Sequence, residues 1–215
     1  MQPTRLHQRL AKGGVAGGVI FSANSPALAE AFVNASKPDF FAVELQHAAI
    51  TPADALNLLR AVHAIDHSIT PVARVPNHDI YWIQQLLDSG YEVLIVPLVE
   101  SAEQAEALVR ATYWPPKGDR SFAGSIRAQT IGLGLDHGND RVILLPQIES
   151  AKGLEHVEEI VAVDGVSGVL LGPEDLGISS GWPRGNPWGN PAFKDAAKLV
   201  GNTCRRHDKL FAIFT

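Results

Sequence analysis

One cysteine, Cys204, stands among 215 residues. An internal disulfide and a cysteine-based zinc site are therefore excluded, and a reducing cytoplasm is the expected setting. No apolar run approaches the roughly 18 residues that a membrane-spanning helix requires. Lysine and arginine are scattered and the formal net charge is -5, so the clustered basic face of a nucleic-acid partner is missing. No GxGxxG follows an apolar run, which removes the usual dinucleotide signal. Low-complexity tracts and coiled-coil heptads are also lacking. Residues 4–31 run from basic to apolar to small, in the order of a signal peptide. Glycines dilute the apolar part, however, and a first buried strand followed by a helix is the preferred reading.

What is present is a repeated alternation. Short apolar runs at 14–22, 40–46, 70–76, 92–99, 141–149, 166–172 and 210–215 read as strands. Between them lie amphipathic stretches at 26–35, 51–65, 80–90, 101–113 and 152–163, several preceded by Ser, Thr or Asp beside Pro or a small residue. This pattern predicts a parallel sheet with crossover helices, and the spacing favours a (β/α)8 TIM barrel over an open doubly wound sheet. Residues 1–215 are expected to form one barrel domain, with the eighth βα unit apparently absent. The glycine-rich segment 115–140 is too long for a simple connection and reads as functional or mobile.

In a barrel, polar residues at the carboxyl ends of strands converge on one face. Strand two ends in Glu44, Gln46 and His47, strand three carries Arg74, strand five ends in Gln147 and Glu149, and Asp175 lies just past strand six. A carboxylate left at the edge of an apolar interior costs on the order of several kcal/mol unless paired. Glu149 and Asp175 on adjacent strand ends point to a hard-oxygen site for a divalent cation; a surface Glu and a helix-capping Asp are the plain alternative. Arg74, between valines, demands an anion, met either by a structural salt bridge or by a substrate. His47 is a possible base, and Asp88 would support it if the two lie close.

The stretches FFAVELQHAAI, PVARVPNHDIYWIQQLLDSGYEVLIVPLVESAEQAEALV, YWPPKGDRSFAG and PQIESAKGLEHVEEIVAVDGVSGVLLGPEDLGISSG resemble, in order and spacing, the HpcH/HpaI aldolases. These are metal-dependent pyruvate aldolases with a barrel of the phosphoenolpyruvate/pyruvate type. The resemblance covers residue 10 onward. It implies that Glu149 and Asp175 bind Mg2+, Mn2+ or Co2+. Gln147 and Arg74 would contact the pyruvate portion, and His47 supported by Asp88 would move protons. The backbone of Gly172, Pro173 and Glu174 would hold the substrate carboxylate, and the GDRSFAG loop would border the pocket.

The implied reaction is reversible cleavage of a 4-hydroxy-2-oxo acid to pyruvate and an aldehyde through a metal-stabilised enolate. No Schiff-base lysine is called for. The implied assembly is a homohexamer, with small-molecule partners and no nucleic acid or membrane.

Three positions depart from the family pattern, the first two being Glu44 and Gln46, which stand where Asp and Glu are usual. Arg120-Ser121 replaces an Arg-Gly pair. The departures bear on the aldehyde and on the reaction. Oxaloacetate decarboxylation and carbon–carbon bond formation resembling that of macrophomate synthase are the alternatives, and an inactive barrel relative serving as an assembly partner is a further one. Lys117, Arg120 or Arg127 could receive a carboxylated aldehyde if the long loop folds inward.

Overall fold

Every expected strand forms, each shorter than its apolar run. The computed structural model describes residues 3–124 and 126–215. In chain order the first elements are α1 (Arg5–Ala11), β1 (Gly18–Phe21), α2 (Pro26–Ser36), β2 (Phe40–Glu44), α3 (Pro52–Ile65), β3 (Thr70–Arg74), α4 (Ile80–Ser89), β4 (Val93–Val96) and α5 (Ala102–Thr112). Then follow α6 (Arg127–Thr130), α7 (Gly138–Arg141), β5 (Ile143–Ile148), α8 (Ala151–Glu155), α9 (Val157–Ala162), β6 (Gly168–Leu171), α10 (Pro173–Ser179), α11 (Pro191–Arg206) and β7 (Leu210–Ile213). The strands take the order β1 to β7, spatial order following sequence order, and β1–β2, β2–β3, β5–β6 and β6–β7 pair in parallel. This is a seven-stranded parallel α/β fold.

The strands are short because their flanks cannot continue a ladder. Pro97 follows β4 and has no N–H to donate. The glycine-rich approach to β1 turns at Gly13, whose φ of 66° suits glycine. Strands β4, β5 and β6 are buried at every position, the mark of parallel strands covered on both faces.

The chain divides into two compact units, Met1–Leu94 with Ser121–Val142, and Ile95–Arg120 with Ile143–Thr215. In the first, α3 and α4 bury Leu58, Leu59 and Val62, and Ile83, Leu86 and Leu87, at the three- and four-residue spacings of one helix face. In the second, α11 buries Phe193, Ala196, Val200, Thr203 and Cys204 in the same way. Burial lifts the Cys204 thiol to about 11, so it stays protonated and unreactive.

The expected helix starts are present. Ser25, Thr51, Asp79, Ser101 and Ser150 each accept a backbone N–H of their own first turn, a contribution of about 1 kcal/mol apiece. The helix expected at 152–163 breaks at His156, whose ring Nδ1 and amide both lie on the Lys152 carbonyl. The long segment 115–140 contains α6 and α7 rather than irregular chain alone.

His63 on α3 provides a test of this packing. It is buried, its Nε2 lies 3.1 Å from the Ile69 carbonyl, and burial pushes its pKa from 6.5 down to about 4. Between those values the unfolded chain holds a proton that the folded chain rejects. The stabilisation is therefore complete above pH 6.5 and is lost as pH falls toward 4, by up to about 3 kcal/mol. His63→Gln should flatten the acid limb of a urea-midpoint-against-pH profile; a limb of unchanged slope would contradict the assignment.

Candidate active site

In the first unit, register places Glu44 at the end of β2 directly beside Arg74 at the end of β3. Glu44 Oε2 accepts from Arg74 Nε at 2.6 Å and from Nη2. Its Oε1 accepts the amides of Gln46 at 2.6 Å and His47 at 3.1 Å. One buried carboxylate thus fixes both the guanidinium and the turn that carries His47. The anion that Arg74 demands is present in the protein, which the sequence left open. The longer stem of Glu44, a departure from the family pattern, is used in this grip. His47 itself is exposed. Asp88 is half-buried on α4.

In the second unit, β5 delivers Gln147 and, just beyond its end, Glu149. Their alternating positions set them on one side of the strand. Both are 1% exposed. Glu149 Oε1 accepts the Leu98 amide at 2.8 Å, and Oε2 accepts from Gln147 Nε2. With its nitrogen so used, the buried Oε1 of Gln147 has no hydrogen-bond donor. The β5–β6 register pairs Ile148 with Leu171, so the next residue, Gly172, falls beside Glu149. A Cβ at Gly172 would lie 2.7 Å from Glu149 Cβ, 2.8 Å from Gln147 Nε2 and 2.9 Å from Glu149 Oε2. Only glycine leaves this space open.

Gly172 leads into α10. Its own N–H donates to the Ile148 carbonyl, and Pro173 has no N–H. Of the three expected carboxylate-holding residues, Glu174 therefore keeps a first-turn amide that the helix itself cannot satisfy. Asp175, in the same first turn, is exposed. There it also complements the positive end of the helix dipole. No group of three or more His, Cys, Asp or Glu side chains gathers as a metal site among the described residues. A hard divalent ion held by one or two carboxylates, with water completing its shell, needs no such group. Glu149, Asp175 and the unsatisfied Gln147 oxygen could supply oxygen donors of that kind.

One participant leaves no mark in the residue pattern. Leu98 has a left-handed backbone, φ 54°, which for leucine costs roughly 1–2 kcal/mol. Nothing in the PL dipeptide announces this, since glycine or asparagine is the usual resident of that conformation. The cations proposed for a carboxylated aldehyde are engaged elsewhere in part. Arg120 is buried with its Cζ 4.2 Å from the Trp114 ring centroid, and Lys117 Nζ lies 4.0 Å from that of Tyr113. In segment 181–193, Trp188 packs edge-on against buried Phe193 at 5.3 Å, as a rigid loop would.

Among the described residues no helix is long and apolar enough to cross a membrane. The chain is 39% identical over 161 residues to a hydroxypyruvate/pyruvate aldolase of Sagittula stellata, covering 74% of this chain and 62% of that protein. It is 38% identical to a Pseudomonas aeruginosa enzyme of the same name, covering 98% and 78% of the two chains. A crystal structure of a HpcH/HpaI aldolase/citrate lyase family protein from Burkholderia cenocepacia superposes with a TM-score of 0.88 at 32% identity, covering 98% of this chain and 84% of that one. These names support the expected class of enzyme, a carbon–carbon lyase that releases pyruvate. The family model for HpcH/HpaI aldolase/citrate lyase matches residues 18–212, and with these relatives it shows that the chain belongs to the HpcH/HpaI aldolase/citrate lyase family.

Proposed function

We propose that this protein is a divalent-metal-dependent aldolase that cleaves a 4-hydroxy-2-oxo acid to pyruvate and an aldehyde. The observation that carries the reading is the buried Glu149 carboxylate beside an unsatisfied Gln147 oxygen, in a space kept free by Gly172. A carboxylate buried beside an open space and a further oxygen donor is suited to holding a hard cation. Glu149 and Asp175 would hold Mg2+, Mn2+ or Co2+, and the ion when bound supplies Lewis-acid charge for a developing enolate.

In the same unit, Gln147 and the Glu174 amide bind and orient the 2-oxo acid, and the family resemblance adds Arg74 to its contacts. On the same resemblance, the Arg74 guanidinium, gripped by Glu44, supplies positive charge to the enolate oxygen. His47 is exposed and its turn is anchored, so it can accept the proton of the 4-hydroxyl as the C3–C4 bond breaks; Asp88 is its proposed support. We extend the seven-stranded sheet to a single (β/α)8 barrel domain and the assembly to a homohexamer, on family resemblance. A cytoplasmic setting suits the single, buried cysteine.

Glu149→Ala and Asp175→Ala are each expected to abolish pyruvate release from a 4-hydroxy-2-oxo acid, and EDTA should do the same to the wild type. Turnover that persists in EDTA would overturn the reading.

A further inference from the structure

We propose that Leu98 is the residue that selects the aldehyde, its side chain forming an apolar wall beside the metal-binding carboxylate. The inference deepens the aldolase reading and rests on it. Leu98 is bracketed by two fixed contacts: its amide is on Glu149 Oε1 at 2.8 Å, and the Val99 amide is on the Gln147 carbonyl at 3.3 Å. Its Cα is one bond from the nitrogen that touches Glu149, so its side chain starts beside that carboxylate.

Two facts set this side chain apart from the core. It is 49% exposed, whereas Val99 next to it is fully buried. It also sits on a left-handed backbone, where glycine would present the same amide without strain. The chain thus carries an exposed apolar group at a place beside Glu149 where a side chain is conformationally costly.

On the proposed reading, the 2-oxo acid is met in this unit by polar groups, Gln147 and the Glu174 amide. The remaining fragment is the aldehyde, and an apolar wall favours an uncharged alkyl aldehyde over a carboxylated one.

The test measures kcat/KM in the aldol direction, with pyruvate and either propionaldehyde or glyoxylate as acceptor, for wild type, Leu98→Gly and Leu98→Ala. Both variants should lower the propionaldehyde-to-glyoxylate ratio by about 10-fold or more. Leu98→Gly, freed of the strain, should melt at or above the wild-type temperature, so the loss is not one of folding. A ratio unchanged in both variants overturns the assignment. Failure of the underlying reading has a separate signature: wild-type enzyme with Mn2+ would then exchange no pyruvate methyl protons into D2O. An unchanged ratio in an enzyme that does exchange them sinks Leu98 alone.

Discussion

Arg74→Lys is expected to lower kcat/KM for aldol cleavage by about 10²–10³-fold while leaving most of the protein's stability in place. Lysine keeps a positive charge beside Glu44, so the buried carboxylate is not stranded. What it loses is the planar fork. Arg74 gives Glu44 two donors, Nε and Nη2, and this two-point grip fixes the plane in which the remaining N–H groups lie. A lysine ammonium on a flexible stem cannot hold that plane. Glu44→Ala provides the contrast: it removes the Glu44 carboxylate from a guanidinium only 13% exposed, and it frees the turn of His47. That change should cost about 3–5 kcal/mol in urea unfolding. Near-wild-type turnover in Arg74→Lys would reduce Arg74 to a structural partner of Glu44.

Gly172→Ala is the second large effect. The added Cβ would meet Glu149 Cβ, Gln147 Nε2 and Glu149 Oε2, all within 2.9 Å. The backbone at Gly172 is ordinary extended chain, φ -95°, so alanine suffers no conformational penalty there and the whole effect is one of space. Stability should fall by about 1–3 kcal/mol, as for overpacked cores. Turnover should fall by about 100-fold or more, because misplacing a reacting geometry by about 1 Å has that cost. Thermal melting and steady-state kinetics check both halves. An alanine enzyme with wild-type stability and rate would mean that the Gln147–Glu149 pair moves aside freely.

Much of this was legible in the residues. The apolar runs marked all seven strands, because a strand buried on both faces has to be apolar throughout. The Ser, Thr and Asp residues before the helices gave true caps. Glu149, Gln147 and Arg74 stood out because a charged or amide group closing an apolar run needs a partner.

The remainder depended on three-dimensional neighbours. Glu44 was visible as a strand end, but its role as the holder of Arg74 arises from β2–β3 register. The Leu98 amide contact comes from a backbone conformation that leucine does not advertise. Gly172 could be read as part of a helix entrance. Its real constraint is the proximity of Gln147 and Glu149, brought beside it by the β5–β6 register.

The most direct measurement is a calorimetric titration of Mn2+ into the full chain and into Glu149→Gln and Asp175→Asn, without substrate. Wild type should bind a single ion per chain, and each variant should bind at least about 10-fold more weakly, with the fold unchanged by circular dichroism. Equal affinity in all three proteins, or no binding by the wild type, would contradict the claim that these two carboxylates hold the ion.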